Sequence, residues 1–149
     1  MKKFLCLILV IIVCSACRKK DITECVYNGN LEEGINVSYK YKITSDNGNI
    51  TFLNSEEVIT FLNTSDAKSF KDMMMKTYEP YQNLKYYNFK ITLKGSTVTR
   101  IANVNYAKVD MKKLEEISGD DGITIKNGKI KLDDMVDVYK KIGAICKNK

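Results

Sequence analysis

The sequence predicts an α+β domain, in which an antiparallel sheet of two hairpins carries about three helices. Two observations support this class. Apolar and polar residues alternate over two pairs of segments, and each pair is joined by residues typical of tight turns. A segment with helical spacing follows each pair, so that the order strand, strand, helix occurs twice. Hairpins with one apolar face, alternating with helices, favour an antiparallel sheet covered on one side.

The first predicted hairpin begins with strict alternation from Ile35 to Ile43, which is typical of a half-buried strand. Lys40 and Lys42 fall on the polar side and are expected to face solvent. The segment 46–49, Asp-Asn-Gly-Asn, supplies a turn because Asn and Gly accept a positive φ. Ile50–Leu62 is the returning strand.

A helix is predicted next, with its N-cap among Thr64, Ser65 and Asp66. Pro80 ends or kinks it, since proline lacks the donor that a helix interior needs. The residues at helical spacing on its apolar face are Ala67, Phe70, Met74, Tyr78 and Tyr81. The run Met73–Met75 is interpreted as core filling rather than as a soft binding surface.

The second predicted hairpin has alternating apolar residues from Tyr87 to Leu93, a turn at Lys94–Ser96, and a returning strand from Val98 to Tyr106. Arg100 interrupts the apolar face of that returning strand. The charge therefore predicts a strand end or a β-bulge at this position.

Two shorter helices are predicted in the last third of the chain. Asp110 is a candidate N-cap for the first, which Gly119–Gly122 ends. A small extended pair surrounds Asn127-Gly128. The last helix is expected to start at Asp133 or Asp134, and a glycine at position 143 ends it. Its predicted inward residues are Met135, Val136 or Val138, Tyr139 and Ile142.

The N-terminus has the pattern of an export signal: two lysines after Met1, the apolar run Phe4–Val13, and the small residues Ser15 and Ala16 before Cys17. Ser15-Ala16-Cys17 resembles the site at which bacterial lipoproteins are acylated on cysteine and cleaved. The predicted organisation is a signal peptide over residues 1–16, a lipidated tether over 17–24 and an α+β domain over 25–149. An uncleaved anchor is the alternative, although the apolar run is shorter than the roughly 20 residues that span a bilayer.

Acylation of Cys17 predicts a location on the extracytoplasmic face of the cell membrane, with membrane lipid as the first partner. Arg18, Lys19 and Lys20 are then expected at the lipid headgroups. Loss of Lys2 and Lys3 with the signal lowers the formal net charge from +6 to +4. The remaining lysines are spread along the chain, and export removes the protein from nucleic acid, so nucleic-acid binding is not expected.

Three cysteines remain after signal removal. If Cys17 is acylated, Cys25 and Cys146 form an even pair near the two ends of the domain in an oxidising compartment. This arrangement favours a structural disulfide. The alternative is a redox or nucleophilic thiol, but the chain after residue 16 has neither a Cys-x-x-Cys pair nor a histidine to activate one.

The sequence contains few groups suited to catalysis. It has no histidine, which excludes Ser-His-Asp and Cys-His mechanisms and histidine metal sites. It also lacks a glycine-rich phosphate loop. The carboxylate pairs are adjacent in sequence, and adjacent strand residues point to opposite faces. These pairs are Glu56 with Glu57, Asp120 with Asp121, and Asp133 with Asp134. No catalytic residue, metal site or cofactor is predicted, and the acidic run at 119–122 is interpreted as a turn rather than a calcium loop.

Nine tyrosines in a chain without tryptophan raise the possibility of a ligand groove. Tyr39, Tyr41 and Tyr87 occupy strand positions that favour a core role. Tyr81 and Tyr86 are the better candidates for exposed contacts. The ligand itself stays unknown at this stage.

Four stretches resemble the YehR-like family of small bacterial lipoproteins of unknown function. They accompany the lipoprotein-like CSAC and read VSYKYKITSDNGNITFL, YEPYQNLKYYNFKITLKGSTV, NYAKVDMKKLEEI and IKLDDMVDVYKKIGAICK. The resemblance implies an anchored α+β domain, and Gram-positive relatives imply a Cys25–Cys146 pairing. It implies no known catalytic residue.

The leading functional hypothesis is therefore a non-enzymatic, lipid-anchored domain that binds a ligand or another envelope component. A thiol-redox protein using Cys25 and Cys146 is the second hypothesis. A weaker third hypothesis is an acid/base hydrolase, which would require the folded sheet to bring two carboxylates together.

Overall fold

The computed structural model describes residues 20–119 and 123–149. The strands are β1 (Asp21–Glu32), β2 (Ile35–Asp46), β3 (Asn49–Thr60), β4 (Tyr87–Lys94), β5 (Thr97–Val104), β6 (Ile125–Lys126), β7 (Lys129–Ile130) and β8 (Ile145–Asn148). The helices are α1 (Thr64–Tyr78), a 3₁₀ helix (Glu79–Asn83), α2 (Met111–Ser118) and α3 (Leu132–Lys141).

Six strands form one antiparallel sheet in the order β4-β5-β3-β2-β1-β8, and β6 pairs with β7 in a separate two-stranded sheet. The fold is a single α+β domain, which confirms the predicted class. Both predicted hairpins are present, as β2–β3 and β4–β5. They are joined through β3 and β5, so the four strands form one continuous surface.

The turn between β2 and β3 has the predicted chemistry. Asn47 and Gly48 have φ values of 51° and 70°, and Asp46 pairs with Asn49 across them. Two consecutive positive φ values are what a two-residue type I′ hairpin requires, and Asn-Gly is the pair that adopts them most readily. Beyond this turn, a β-bulge between Thr44 and Ser45 shifts the pairing by one residue, and the shifted register places Tyr41 opposite Ser55.

Strand β1 was not predicted, and it moves the start of the folded domain. Residues 21–24, assigned to the tether, lie in β1 and pair with β2 and β8. The apolar residues Ile22 and Val26 lie on the outer face of the sheet, whereas Thr23 and Cys25 face the helices. Because apolar residues occur on both faces of β1, the alternation of apolar and polar residues that would predict a strand is weak in this segment. The rest of the proposed tether before Lys20, together with the signal segment, lies outside the described residues.

Helix α1 begins one residue earlier than predicted, and its N-cap is Asn63. The Asn63 side chain accepts a hydrogen bond from the Asp66 backbone N–H at 2.9 Å and donates to the Asp66 carboxylate at 2.8 Å. Pro80 lies in the 3₁₀ helix that follows, so it coincides with the end of the α-helical hydrogen bonding, as predicted.

We expect Asn63→Ala to lower the free energy of unfolding by about 1 kcal/mol, because the orphan N–H groups of the first turn lose their acceptor. Ser65→Ala is the matched control, since Ser65 is exposed and makes no cap hydrogen bond. Urea denaturation followed by circular dichroism measures both. A larger loss for Ser65→Ala would contradict the assigned cap.

Arg100 neither ends β5 nor causes a bulge, so that prediction was wrong. The strand pairs in unbroken register with β3 and β4 on either side of it. Arg100 lies directly opposite Glu57, which is on the same face of the sheet. An ion pair with this neighbour, rather than a distortion of the backbone, accommodates the charge.

The last third of the chain largely follows the prediction. The Asp110 side chain caps α2 by accepting from the Lys113 N–H at 3.1 Å, and β6 and β7 form the small pair around Asn127-Gly128. Helix α3 begins at Leu132, so Asp133 and Asp134 lie in its first turn rather than at its cap. Ile142 was predicted to face inward but is exposed.

All three α-helices pack on the same face of the six-stranded sheet. The α1 residues Ala67 and Met74 cover Ile91 and Val98, whereas α2 and α3 cover the central strands. Met73 and Met75 are exposed, so only Met74 of the methionine run fills the core. On the opposite face, Lys40 and Lys42 are exposed as predicted, and none of the described outward-pointing residues of the central strands β2 and β3 is buried.

Candidate functional site

A cavity of about 400 Å³ lies between the inner face of the sheet and the helical layer. Strands β2, β3 and β5 form its floor, and residues of the three α-helices, the 3₁₀ helix, β4, β6 and β7 form its walls. The volume lies in the range of small-molecule sites.

The floor of the cavity carries a buried ion pair between Arg100 and Glu57. The Arg100 Nε donates to Glu57 Oε2 at 2.9 Å, and its Nη2 donates to Glu57 Oε1. Arg100 is only 8% exposed. The Tyr41 hydroxyl donates to the same carboxylate at 3.2 Å, and the Tyr78 ring lies 4.6 Å from the guanidinium carbon. Burial alone would lower the pKa of Arg100, but the hydrogen bonds and charge of Glu57 more than offset it, so the pKa is raised.

Ser55 lies on the floor one inward position before Glu57 on β3, between Tyr41 and Ala102 on the neighbouring strands. Ser55 is 4% exposed and lines the cavity, and its hydroxyl has no hydrogen-bond partner among the described residues. An unpaired buried hydroxyl costs about 1–3 kcal/mol. A group that entered the cavity and bonded to Ser55 would recover this energy.

Six tyrosines line the cavity: Tyr41, Tyr78, Tyr81, Tyr87, Tyr106 and Tyr139. The rings of Tyr41 and Tyr139 are stacked, with centroids 3.9 Å apart, so α3 is held against β2. Desolvation is the largest cause that raises the pKa of the Tyr41, Tyr87, Tyr106 and Tyr139 phenols. These groups therefore stay neutral across the physiological pH range.

The tyrosines singled out from the sequence are distributed differently from the expectation. Tyr81 is buried in the cavity wall, so its predicted exposure was wrong. Tyr86 is exposed and lies near the ammonium groups of Lys85 and Lys108. Tyr39, Tyr41 and Tyr87 belong to the core cluster, as predicted. The sequence did contain one signal for the site: Glu57 and Arg100 each interrupt an inward-facing row with opposite charges.

Cys25 and Cys146 form a disulfide between β1 and the edge strand β8. The Cα atoms of the two cysteines are 4.0 Å apart. Cys25 has no solvent exposure, and Cys146 is partly buried. The Thr23 hydroxyl donates to the Asn148 side chain at 2.8 Å one inward position away. The disulfide therefore belongs to the sheet. Neither cysteine lines the cavity, although Cys25 lies opposite the lining residue Tyr41.

The candidate carboxylate pairs are separated by the fold. Glu56 points outward while Glu57 lines the cavity, and Asp133 and Asp134 lie in the first turn of α3. Asp120 and Asp121 lie outside the described residues. Glu57 is the only carboxylate among the described residues that line the cavity. Within residues 20–119 and 123–149, no group of three or more Cys, Asp or Glu side chains is arranged to hold a metal ion.

The proposed acylation site Cys17 and its neighbours Arg18 and Lys19 lie outside the described residues, and Lys20 is exposed at the start of the described chain. Among the helices that are described, none has the length and apolar character needed to cross a membrane.

Two solved structures share this fold. The NMR structure of the E. coli YehR protein superimposes with a TM-score of 0.59 and 20% sequence identity, covering 87% of this chain and 92% of that one. The NMR structure of a protein from Streptococcus pneumoniae has a TM-score of 0.55 and 12% identity, covering 89% and 88% of the two chains. No protein-family model matches the chain, and no curated protein does either. The chain therefore has a YehR-like fold.

Proposed function

We propose that this protein is a non-enzymatic, lipid-anchored binding domain on the extracytoplasmic face of the membrane, and that its cavity holds a small ligand. The observation that carries the proposal is the buried Ser55 hydroxyl, which has no partner in the part of the chain that the structure describes and lines a cavity of about 400 Å³. Buried hydroxyl groups in proteins are nearly always hydrogen-bonded, so an exception inside a cavity favours an external partner.

The chemistry of the cavity favours binding over catalysis. A general acid or base needs a carboxylate that can exchange a proton with a substrate. Glu57 instead accepts hydrogen bonds from Arg100 and Tyr41, which occupy both of its oxygens. The second carboxylate that glycoside hydrolysis requires is not among the described lining residues.

Native mass spectrometry of the membrane-extracted protein tests the binding part of this proposal. We expect a small-molecule adduct on the wild-type chain. Ile117→Trp should abolish it, because Ile117 lines the cavity and the larger ring would fill the space. Ile101→Trp is the matched control, because it introduces the same larger ring on the exposed outer face of β5, away from the cavity. Equal adducts in both variants would contradict binding in the cavity.

The anchoring part rests on the sequence, in which Ser15-Ala16 precedes Cys17. Intact mass analysis of the same extract is expected to show a chain that begins at Cys17 and carries diacylglyceryl mass. Cys17→Ser should leave the chain unacylated and shift it out of the membrane fraction, since two acyl chains are needed for stable anchoring. Cys6→Ser is the control and should be processed normally. Normal acylation of Cys17→Ser would rule out the proposed anchor.

A further inference from the structure

The charges of the described residues that line the cavity are balanced. Glu57 and Arg100 are the only acidic and basic side chains among them, and they are paired with each other. Burial raises the pKa of four of the cavity tyrosines, Tyr41, Tyr87, Tyr106 and Tyr139, so their phenols stay neutral. The described lining is therefore polar at the floor of the cavity but carries no net charge.

The ion pair also leaves little capacity for a second counter-ion. Two nitrogens of Arg100 donate to Glu57, the Tyr78 ring covers the guanidinium, and Tyr41 satisfies the same carboxylate. A charged ligand would lose its hydration on entry. It would meet a pair whose charges already cancel, so it would gain little from either partner. Burying an uncompensated charge costs several kcal/mol, so charged ligands are disfavoured.

The walls are suited to an apolar body. Aliphatic side chains from α2 and the β6–β7 sheet face the cavity on one side, and tyrosine rings face it on the other. The aliphatic group comprises Leu114, Ile117, Ile123, Ile125 and Ile130. Ser55, at the floor, is the polar group that remains unsatisfied.

We infer that the ligand of this cavity is an uncharged amphipathic molecule, whose apolar body packs between the aliphatic wall and the tyrosines and whose polar group hydrogen-bonds to Ser55. This inference rests on the proposed function and names the class of ligand for the same cavity. The paired state of Arg100 and Glu57 determines the preference for a neutral molecule, and Ser55 orients it.

Two fluorescent probes with the same anilinonaphthalene body separate charge from shape. N-phenyl-1-naphthylamine is uncharged, whereas 1-anilinonaphthalene-8-sulfonate carries a sulfonate. We expect the neutral probe to bind the folded, disulfide-intact protein saturably and at least about tenfold more tightly than the anionic probe, a difference of 1.4 kcal/mol. Ile117→Trp should remove this binding, and Ile101→Trp should retain it.

Glu57→Gln provides a sharper test of the charge argument. It removes the counter-ion of Arg100 and leaves an unpaired cation on the cavity floor. The anionic probe should then bind at least about tenfold more tightly than it binds the wild type, while the neutral probe changes little. Circular dichroism verifies that the variant is folded. If Glu57→Gln does not fold, the comparison of the two probes on the wild type still tests the inference.

The outcomes distinguish the two proposals. Tighter binding of the neutral probe that Ile117→Trp abolishes supports both. If the anionic probe binds the wild type as tightly as the neutral one, and Ile117→Trp blocks both, the inferred ligand class is wrong and the cavity remains a binding site. If neither probe binds, or Ile117→Trp has no effect on binding, the cavity is not the site and the proposed function fails.

Discussion

Replacing Cys25 and Cys146 together by alanine is expected to lower the free energy of unfolding by about 4–5 kcal/mol. The disulfide closes a loop of 121 residues, and in the chain-entropy model a loop of that size restricts the unfolded chain by this amount. The bond also holds β8, which has only four residues and lies at the edge of the sheet. Thermal denaturation should show a midpoint lower by on the order of 15 °C.

Reduction provides the matched control for the disulfide. Dithiothreitol should lower the melting temperature of the wild type by a similar amount and leave the double variant unchanged. A reductant-independent melting temperature in the wild type would contradict a structural role. The double variant also tests the redox hypothesis. A thiol-redox protein would lose its reductase activity when both cysteines are replaced, whereas a structural disulfide predicts no such loss.

Arg100→Met is expected to destabilise the domain by about 3–5 kcal/mol. Removing the guanidinium leaves the Glu57 carboxylate buried without its cation, which is the costly way to disrupt a buried pair. Replacing both residues, as in Glu57→Leu with Arg100→Met, should recover most of the loss because no unpaired charge remains. Chemical denaturation of the two single variants and the double variant measures this coupling.

Lys149→Met is the control for Arg100→Met. Lys149 forms an exposed ion pair with Glu24 at 2.7 Å, and exposed pairs contribute little to stability. Its unfolding curve should therefore match that of the wild type. Equal effects of Arg100→Met and Lys149→Met would show that burial of the Arg100 pair has no energetic importance.

Much of the fold could be predicted because the hairpins carry local signals. The alternation from Ile35 to Ile43 and the Asn47-Gly48 turn each specify their own conformation, and the structure has both. Strand β1 lacks such a signal. Its inward positions are Thr23, Cys25, Tyr27 and a glycine at position 29, so Tyr27 is the one large residue among them. Tertiary pairing with β2 and β8 determines the conformation of the strand instead.

The candidate site was much harder to predict, since it depends on pairings between distant segments. Ser55, Glu57 and Arg100 meet because β3 pairs with β5, strands that are separated in the sequence by α1 and β4. From the sequence alone, Arg100 indicated a distortion and Glu57 one member of a carboxylate pair. The register between β3 and β5 places the two charges directly opposite each other, so that they form one neutral ion pair on the cavity floor.

The antiparallel pairing of β1 with β8 has a practical consequence for studies in cells. Thr23 lies opposite Asn148, so β1 begins at the same end of the sheet at which β8 ends. A label attached after β8 would therefore lie beside the start of β1, close to the segment that carries the proposed anchor. The β4–β5 turn at Gly95-Ser96 lies at the opposite end, beside Phe61, and is the better insertion point for a label.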